Sequence, residues 1–306
     1  MGNENIIISD RYEIQGLQNN VYDETDYESY FKGKDHKTNK DVLLRVIHSF
    51  RFKKLRAKKL LQNAILDEIN LMKKNKFKGL PIFIDSIKVS DKDFDLIDKY
   101  FFEDFFIDID YINDKNLHII ITEYKDGVCL EEYLKKNNKL SESKILEFLN
   151  KLIPIVRYLH NQEPPIIYED LNPNNIYIDG NDDVYFIRYN VISKYMEFHE
   201  FFGRENGIEY YPFIKPSYQA PELAFIYNNY NSAFFRKADI YSIGRIIFFM
   251  LTGKSPMDSI VIPKVSVLRK DVSSVWTEIV SKSTNLEKHE RKYESVDELM
   301  NDLRKI

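Results

Sequence analysis

Cysteine is almost absent. The one thiol, Cys129, has no partner in the chain, so an internal disulfide is excluded and a reducing cytosol is the expected setting. Long apolar runs are also missing. No stretch approaches the roughly 18–20 residues needed to span a bilayer. The opening "MGNENIIISD" has no basic-then-apolar secretory pattern, and Ile6 stands where myristoylation would need Ser or Thr. Neither charge sign dominates: 44 Lys and Arg against 48 Asp and Glu leave a net charge of -4, which gives no general reason for nucleic acid or an anionic membrane as partner. A hydrophobic fraction of 43% beside 30% charged residues is that of a soluble, globular chain, and 306 residues suffice for one large or two moderate cores.

What is present comes in two halves. "RYEIQGL" (11–17), "YESYFKGKD" (27–35), "DVLLRVI" (41–47), "LPIFIDSI" (80–87) and "LHIIITEY" (117–124) are short apolar or alternating runs, as strands require. Between them a basic run (51–59), which reads as a solvated helix face, leads into a helix in which Ile65, Ile69 and Met72 recur at helical spacing. From "CLEEYLKK" onward the periodicity is helical. Ser141 is a good N-cap for the segment to 162, 238–253 reads as a buried helix ended by Gly253, and a last helix closes the chain. Strands first and helices later predict an α+β, two-lobed architecture, residues 10–124 and 125–306, with a hinge near 123–127. Residues 90–116 interrupt two strands with acids interleaved with Phe94, Tyr100, Phe101, Phe102, Phe105, Phe106 and Tyr111. They form either a contact surface for a protein partner or a longer hairpin that packs its aromatics on the lobe. A second aromatic cluster spans 195–213.

"YEDLNPNN" around Asp170, "SYQAPEL" (217–223), "DIYSIG" (239–244) and the late Arg291 stand in one order. In that order they resemble the catalytic loop, the end of the activation segment, the central helix and the late arginine of eukaryotic-type protein kinases. "PPIIY" before the loop is similar to bacterial Ser/Thr kinases. The resemblance covers nearly the whole chain and implies the bilobal kinase fold, with a small β-rich N-lobe and a larger helical C-lobe. Structural roles carried over from it are Asp239 bonding the catalytic-loop backbone, Glu222 paired with Arg291, and Met72, Phe83, Tyr168 and Tyr189 at the positions that stack between the lobes.

The same resemblance implies a phosphotransfer machine, and most of its parts are exchanged. Asp23, Thr25 and Glu28 stand at the glycine positions of the phosphate loop. Asp23, Glu24, Asp26 and Glu28 would face a polyanion, and each charge pair at 4 Å costs about 1 kcal/mol in water and roughly 4 at an effective dielectric near 20. Structurally the stretch reads as a solvated acidic turn. Arg45 replaces the strand lysine and is expected to pair with Glu68 of the following helix. Tyr30, Leu43 and Tyr177 enlarge the three positions that line the adenine slot. Arg188 stands at the metal-binding aspartate. It has no acceptor for a cation, and is expected to pair with Asp170 or to hold Asn175. Glu169 and Asn172 replace the loop's arginine and lysine, while Asp170 and Asn175 persist. The residues therefore point to a cytoplasmic pseudokinase with no cofactor and no metal site, which binds a protein partner through 90–116 or 195–213. The alternative is an unconventional or weak ATP- and magnesium-dependent transferase that still uses Asp170 and Asn175.

Overall fold

The computed structural model describes residues 6–17, 28–48, 55–90, 93–94, 97, 117–189, 203–205, 208–210, 217–225, 232–256 and 261–306. They divide into two compact units. One comprises Met1–Lys76, Pro81–Asp126 and His199–Pro212, and the other Phe77–Leu80, Gly127–Phe198 and Phe213–Ile306. The chain passes from the first unit to the second between Asp126 and Gly127, and Phe77–Leu80 goes with the second unit. The reason is local: the Phe77 ring stacks on Tyr158 at 4.5 Å, and the Gly79 carbonyl accepts from the Phe186 amide at 2.8 Å. Gly79 has φ +96, and a Cβ there would strike Ile155 at 2.4 Å, so only glycine lets the chain pass that close.

Among the described residues the first unit is built on a six-stranded sheet and a long helix, and it also holds a separate two-stranded ladder, Gly203–Glu205 with Ile208–Tyr210. In chain order the strands are β1 (Ile6–Ile8), β2 (Tyr12–Leu17), β3 (Glu28–Asp35), β4 (Lys40–His48), β5 (Phe83–Lys88) and β6 (Leu117–Glu123), and helix α1 (Leu55–Lys74) lies between β4 and β5. The sheet order is β1-β2-β3-β4-β6-β5, with every pairing antiparallel. One face of it carries the core, where Ile8, Tyr12, Phe31, Val42, Leu44, Val46, Leu117, Ile119 and Ile121 are buried. Alternation along β4 puts Val42, Leu44 and Val46 on that face and Leu43 and Arg45 on the other. Along α1, Leu61, Ile65, Ile69 and Met72 form one buried stripe, as the sequence spacing required.

Of the two readings of 90–116, Phe94 follows the one in which the aromatics pack on the lobe. Phe94 and Ile97 are buried in the sheet core, so the start of the 90–116 insertion packs on the sheet. Strand β1, three isoleucines paired with β2, was not expected, because three residues are too few to show a period.

The second unit is mostly helical. After β7 (Gly127–Cys129) come α2 (Leu130–Asn137) and α3 (Glu142–His160), then a hairpin of β8 (Ile176–Asp179) and β9 (Val184–Phe186). Helices α4 (Ser232–Thr252), α5 (Val265–Leu268), α6 (Ser274–Thr284) and α7 (Val296–Leu303) follow. Ser141 caps α3 by accepting from the Lys144 amide at 3.3 Å. Helix α4 is buried on every side from Ala238 to Leu251, which accounts for a sequence apolar all round. It stops at Gly253, in the left-handed region at φ +68, whose amide returns to Phe249 O at 2.8 Å. Among the described residues no helix is long and apolar enough to cross a membrane.

Candidate functional site

In the second unit the loop 168–175 hangs from one carboxylate. Asp239, fully buried on α4, accepts the Tyr168 amide at 2.9 Å and the Glu169 amide at 2.8 Å, with His160 Nε2 at 2.8 Å from the same carboxylate. Glu169 adopts φ 62, a left-handed turn of the backbone that a side chain tolerates only where surrounding bonds fix it. Tyr168 then reaches forward, and its hydroxyl donates to the Arg188 carbonyl at 3.1 Å. That bond ties the loop to the segment after β9.

Within the loop the side chains turn inward on Asp170. Asn172 Nδ2 donates to Oδ1 at 2.7 Å, Asn175 Nδ2 to Oδ2 at 2.6 Å, and Arg188 Nη2 to Oδ2 at 2.6 Å. Both amides also reach the Asp170 carbonyl. All four residues are at most 4% exposed. Of the two contacts expected of Arg188, the structure therefore holds the one to Asp170. Asn172 does more than lose a lysine charge: its amide takes one oxygen of Asp170.

A divalent cation does not fit this set. Hard cations need several oxygen ligands, and here a guanidinium lies on the carboxylate that would supply one. Among the described residues there is no group of three or more His, Cys, Asp or Glu that could hold a metal ion.

The first unit carries a second buried charge cluster. Arg45 Nη1 donates to Glu68 Oε1 at 2.7 Å, which forms the expected pair, and Nη2 donates to Glu28 Oε1. The Tyr30 hydroxyl donates to the other Glu28 oxygen at 2.8 Å. Burial alone would lower the Arg45 pKa, but the Glu28 and Glu68 carboxylates outweigh it and raise the value above its ordinary range. Glu28 therefore does not belong to a solvated acidic turn. Its side chain is 0% exposed: the register of β3 puts it across from Ile47 and on the same face as Tyr30 and Arg45, diagonal to Arg45. Asp23, Glu24, Thr25 and Asp26 lie outside the described residues.

Of the adenine-slot positions, Tyr30 and Leu43 are buried in the first unit, and Tyr177 is buried in the second beside Tyr185. Of the four stacking positions, Met72 is buried and Phe83 half-buried in the first unit, where Lys73 sits over the Phe83 ring at 5.0 Å. Tyr168 and Tyr189 are buried in the second. The rest of the two aromatic segments falls outside the described residues, apart from the backbone of β10 (Gly203–Glu205) and β11 (Ile208–Tyr210).

The end of "SYQAPEL" is fixed from α4 and from Arg291. Arg291 grips Glu222 with two bonds at 2.5 and 2.7 Å and stacks its guanidinium over Tyr241 at 4.6 Å. Ser242 Oγ donates to Tyr218 O at 2.8 Å, and Arg245 donates to Ser217 O and Pro256 O at 2.9 Å each. Burial pushes the Arg245 pKa down, against the favourable charges of Tyr241 and Tyr218. Sequence reasoning missed Arg245. Its signal was the single charged residue in the stretch from Ile240 to Leu251 of α4.

This arrangement defines a protein kinase fold. The family model described as protein kinase domain matches residues 26–305, and the chain belongs to that family. Its relatives include a protein assigned as a serine/threonine-protein kinase in Mycoplasma pneumoniae, 30% identical over 60% of this chain and 54% of that protein. Serine/threonine-protein kinase B of Synechocystis is 23% identical over 64% of this chain and 34% of its own length. The chain spans about half the length of the first of these relatives. Among solved structures, the kinase domain of Mycobacterium tuberculosis PknI matches with a TM-score of 0.66 at 14% identity, covering 100% of this chain and 99% of that one. At that identity the likeness speaks to the fold alone.

Proposed function

We propose that this protein kinase domain is a pseudokinase, one that acts in a bacterial cytosol by binding another protein rather than by transferring phosphate. The observation that carries the reading is Arg188 on Asp170. The position from which the family holds magnesium bears a buried cation, and the carboxylate that would orient a substrate hydroxyl already accepts from three side-chain donors. Arg45 supports it, since both of its terminal nitrogens are engaged by internal carboxylates. A protein partner docking on the aromatic segments within 90–116 or 195–213 belongs to the same reading.

The test is a thermal-shift titration of the full chain with millimolar ATP and magnesium. A ligand at a hundred times its dissociation constant stabilises a fold by about 2.7 kcal/mol, so binding would be plain. The expected result is no shift. A saturable one shows that the nucleotide slot is not filled, and transfer of phosphate from ATP removes the pseudokinase reading.

One observation favours a second reading. Asp170 and Asn175 are both retained and lie 2.6 Å apart, as they would in a transferase that binds ATP and magnesium in another pose. Asp170→Asn separates the two. As a pseudokinase the protein keeps its biological function in the folded Asp170→Asn variant and loses it when 98–113, the part beyond the buried Phe94 and Ile97, is replaced by a short turn. As a transferase it shows the reverse.

A further inference from the structure

Basic residues crowd one end of α1. Residues 51–59 hold six Lys and Arg and no acid. Three of them, Arg56, Lys58 and Lys59, stand at the N-terminal end of the helix, whose first turn carries no acid. That end is the positive pole of the helix dipole, where cations cost stability and acids add to it. Folding therefore gives no reason for this charge. Helical spacing carries it along one face: Lys59, Asn63, Leu66, Asn70 and Lys73 follow one another at three or four residues. The last four are exposed, Leu66 to 53%. None of the five is an acid, and Glu68 points the other way, to Arg45.

The chain also carries the complement of this face. Residues 98–113 hold five acids, six aromatic residues and one base. The segment sets out from the core face of the sheet, where Phe94 and Ile97 are buried with Val42, Leu44 and Val46. Arg45 lies on the opposite face of β4 and holds α1 there through Glu68. Helix and segment of one copy thus start from opposite sides of the sheet, which suits contact between copies rather than within one. We propose that this face of α1 is the docking surface for residues 98–113 of a second copy of the chain. The proposal rests on the reading above, in which the aromatic segments bind a protein, and names that protein. The lysines meet the acids, and Leu66 gives the aromatic rings an apolar contact. Each copy brings both surfaces, so two copies close a symmetric pair through two such contacts.

The experiment is sedimentation equilibrium of the full chain over a concentration series, at low and at high salt. The wild type is expected to self-associate, less strongly at high salt. Lys59→Glu with Lys73→Glu on α1, or Asp108→Lys with Asp110→Lys in the segment, should each weaken association by about tenfold or more. All four changes in one chain should restore it, since opposite charges then face each other again. Leu66→Ser, a neutral change at an exposed position, should also weaken association, and it carries the test should the charge variants fail to melt cooperatively. A wild type that stays monomeric overturns the proposal. So does association that the α1 variants leave unchanged, or that the combined exchange does not restore. A monomer that instead binds phosphatidylglycerol vesicles through Lys59 and Lys73 overturns it as well, with a lipid surface as the occupant. The two readings fail separately: transfer of phosphate from ATP removes the pseudokinase assignment, whereas a monomeric wild type removes only the self-docking.

Discussion

Arg188 Nη2 lies 2.6 Å from Asp170 Oδ2, and both side chains are at most 3% exposed. Taking two charges out of water costs several kcal/mol each, and their attraction repays this only when the remaining bonds are good. Here Asn172 and Asn175 supply those bonds, and the Tyr168 hydroxyl fixes the backbone that carries the arginine. The pair is a closed structural unit whose members depend on one another.

Arg188→Ala should therefore destabilise the protein by about 3–5 kcal/mol, because it strands a buried carboxylate. Asp170→Asn introduced on top should recover part of the loss, with a coupling of about 1 kcal/mol or more in a double-mutant cycle. Urea unfolding of the four proteins measures it. Additive effects would show that the two residues do not act on each other.

Arg45 holds two carboxylates, so the three possible truncations should not be equal. Arg45→Ala, which leaves Glu28 and Glu68 both buried without their shared cation, should cost about 3–5 kcal/mol. Glu68→Ala should cost less, since Glu28 remains on the guanidinium. The double variant should fall well short of the sum. Equal losses for Arg45→Ala and Glu68→Ala would mean that Glu28 contributes nothing.

Acid stability should depend on Asp35. The bidentate Arg11 guanidinium, at 2.8 and 2.9 Å, together with Thr38 and the Lys37 amide, holds this carboxyl well below the usual carboxylate range, against the opposing effect of burial. The folded state thus binds its proton less readily than the unfolded state. The contribution is fully present above the unfolded value of about 4 and is lost as pH falls from there toward the folded value. Asp35→Asn should lower stability at pH 7 and narrow its gap to the wild type between pH 4 and 2. A gap that stays constant over that range would exclude the linkage.

Tyr168→Phe removes only the hydroxyl that donates to the Arg188 carbonyl. A loss of about 1 kcal/mol is expected, in chemical denaturation, with no change in the cooperativity of unfolding. A neutral result would show that the carbonyl finds another donor without cost.

Much of this was legible because periodicity and motif order survive divergence. The α1 stripe and the buried α4 follow from residue type and spacing, and the Asp239, Glu222 and Arg291 anchors follow from the family resemblance. Glu28 was misread for a physical reason. An acid in an acidic stretch looks solvated, and only the β3 register shows that its side chain points inward to Arg45. Asn172 was read as a missing charge, whereas its reach to Asp170 depends on a loop turned by the left-handed Glu169. Phe94 was grouped with its aromatic neighbours, although it belongs to the core that its predecessors build.

The placement of Phe77–Leu80 with the second unit means that neither half of the protein is a continuous stretch of chain. A fragment starting at Gly127 would lack the ring that stacks on Tyr158 and the carbonyl that takes the Phe186 amide. Expressed alone, it would expose an aromatic face and leave a backbone donor unmatched. A four-residue strap near the middle of the N-terminal half thus makes the helical half a discontinuous folding unit, completed only when about fifty intervening residues have looped out. Dissecting this protein into autonomous pieces would require the strap to be supplied in trans, and the short peptide 77–80 is the piece that would have to be added back.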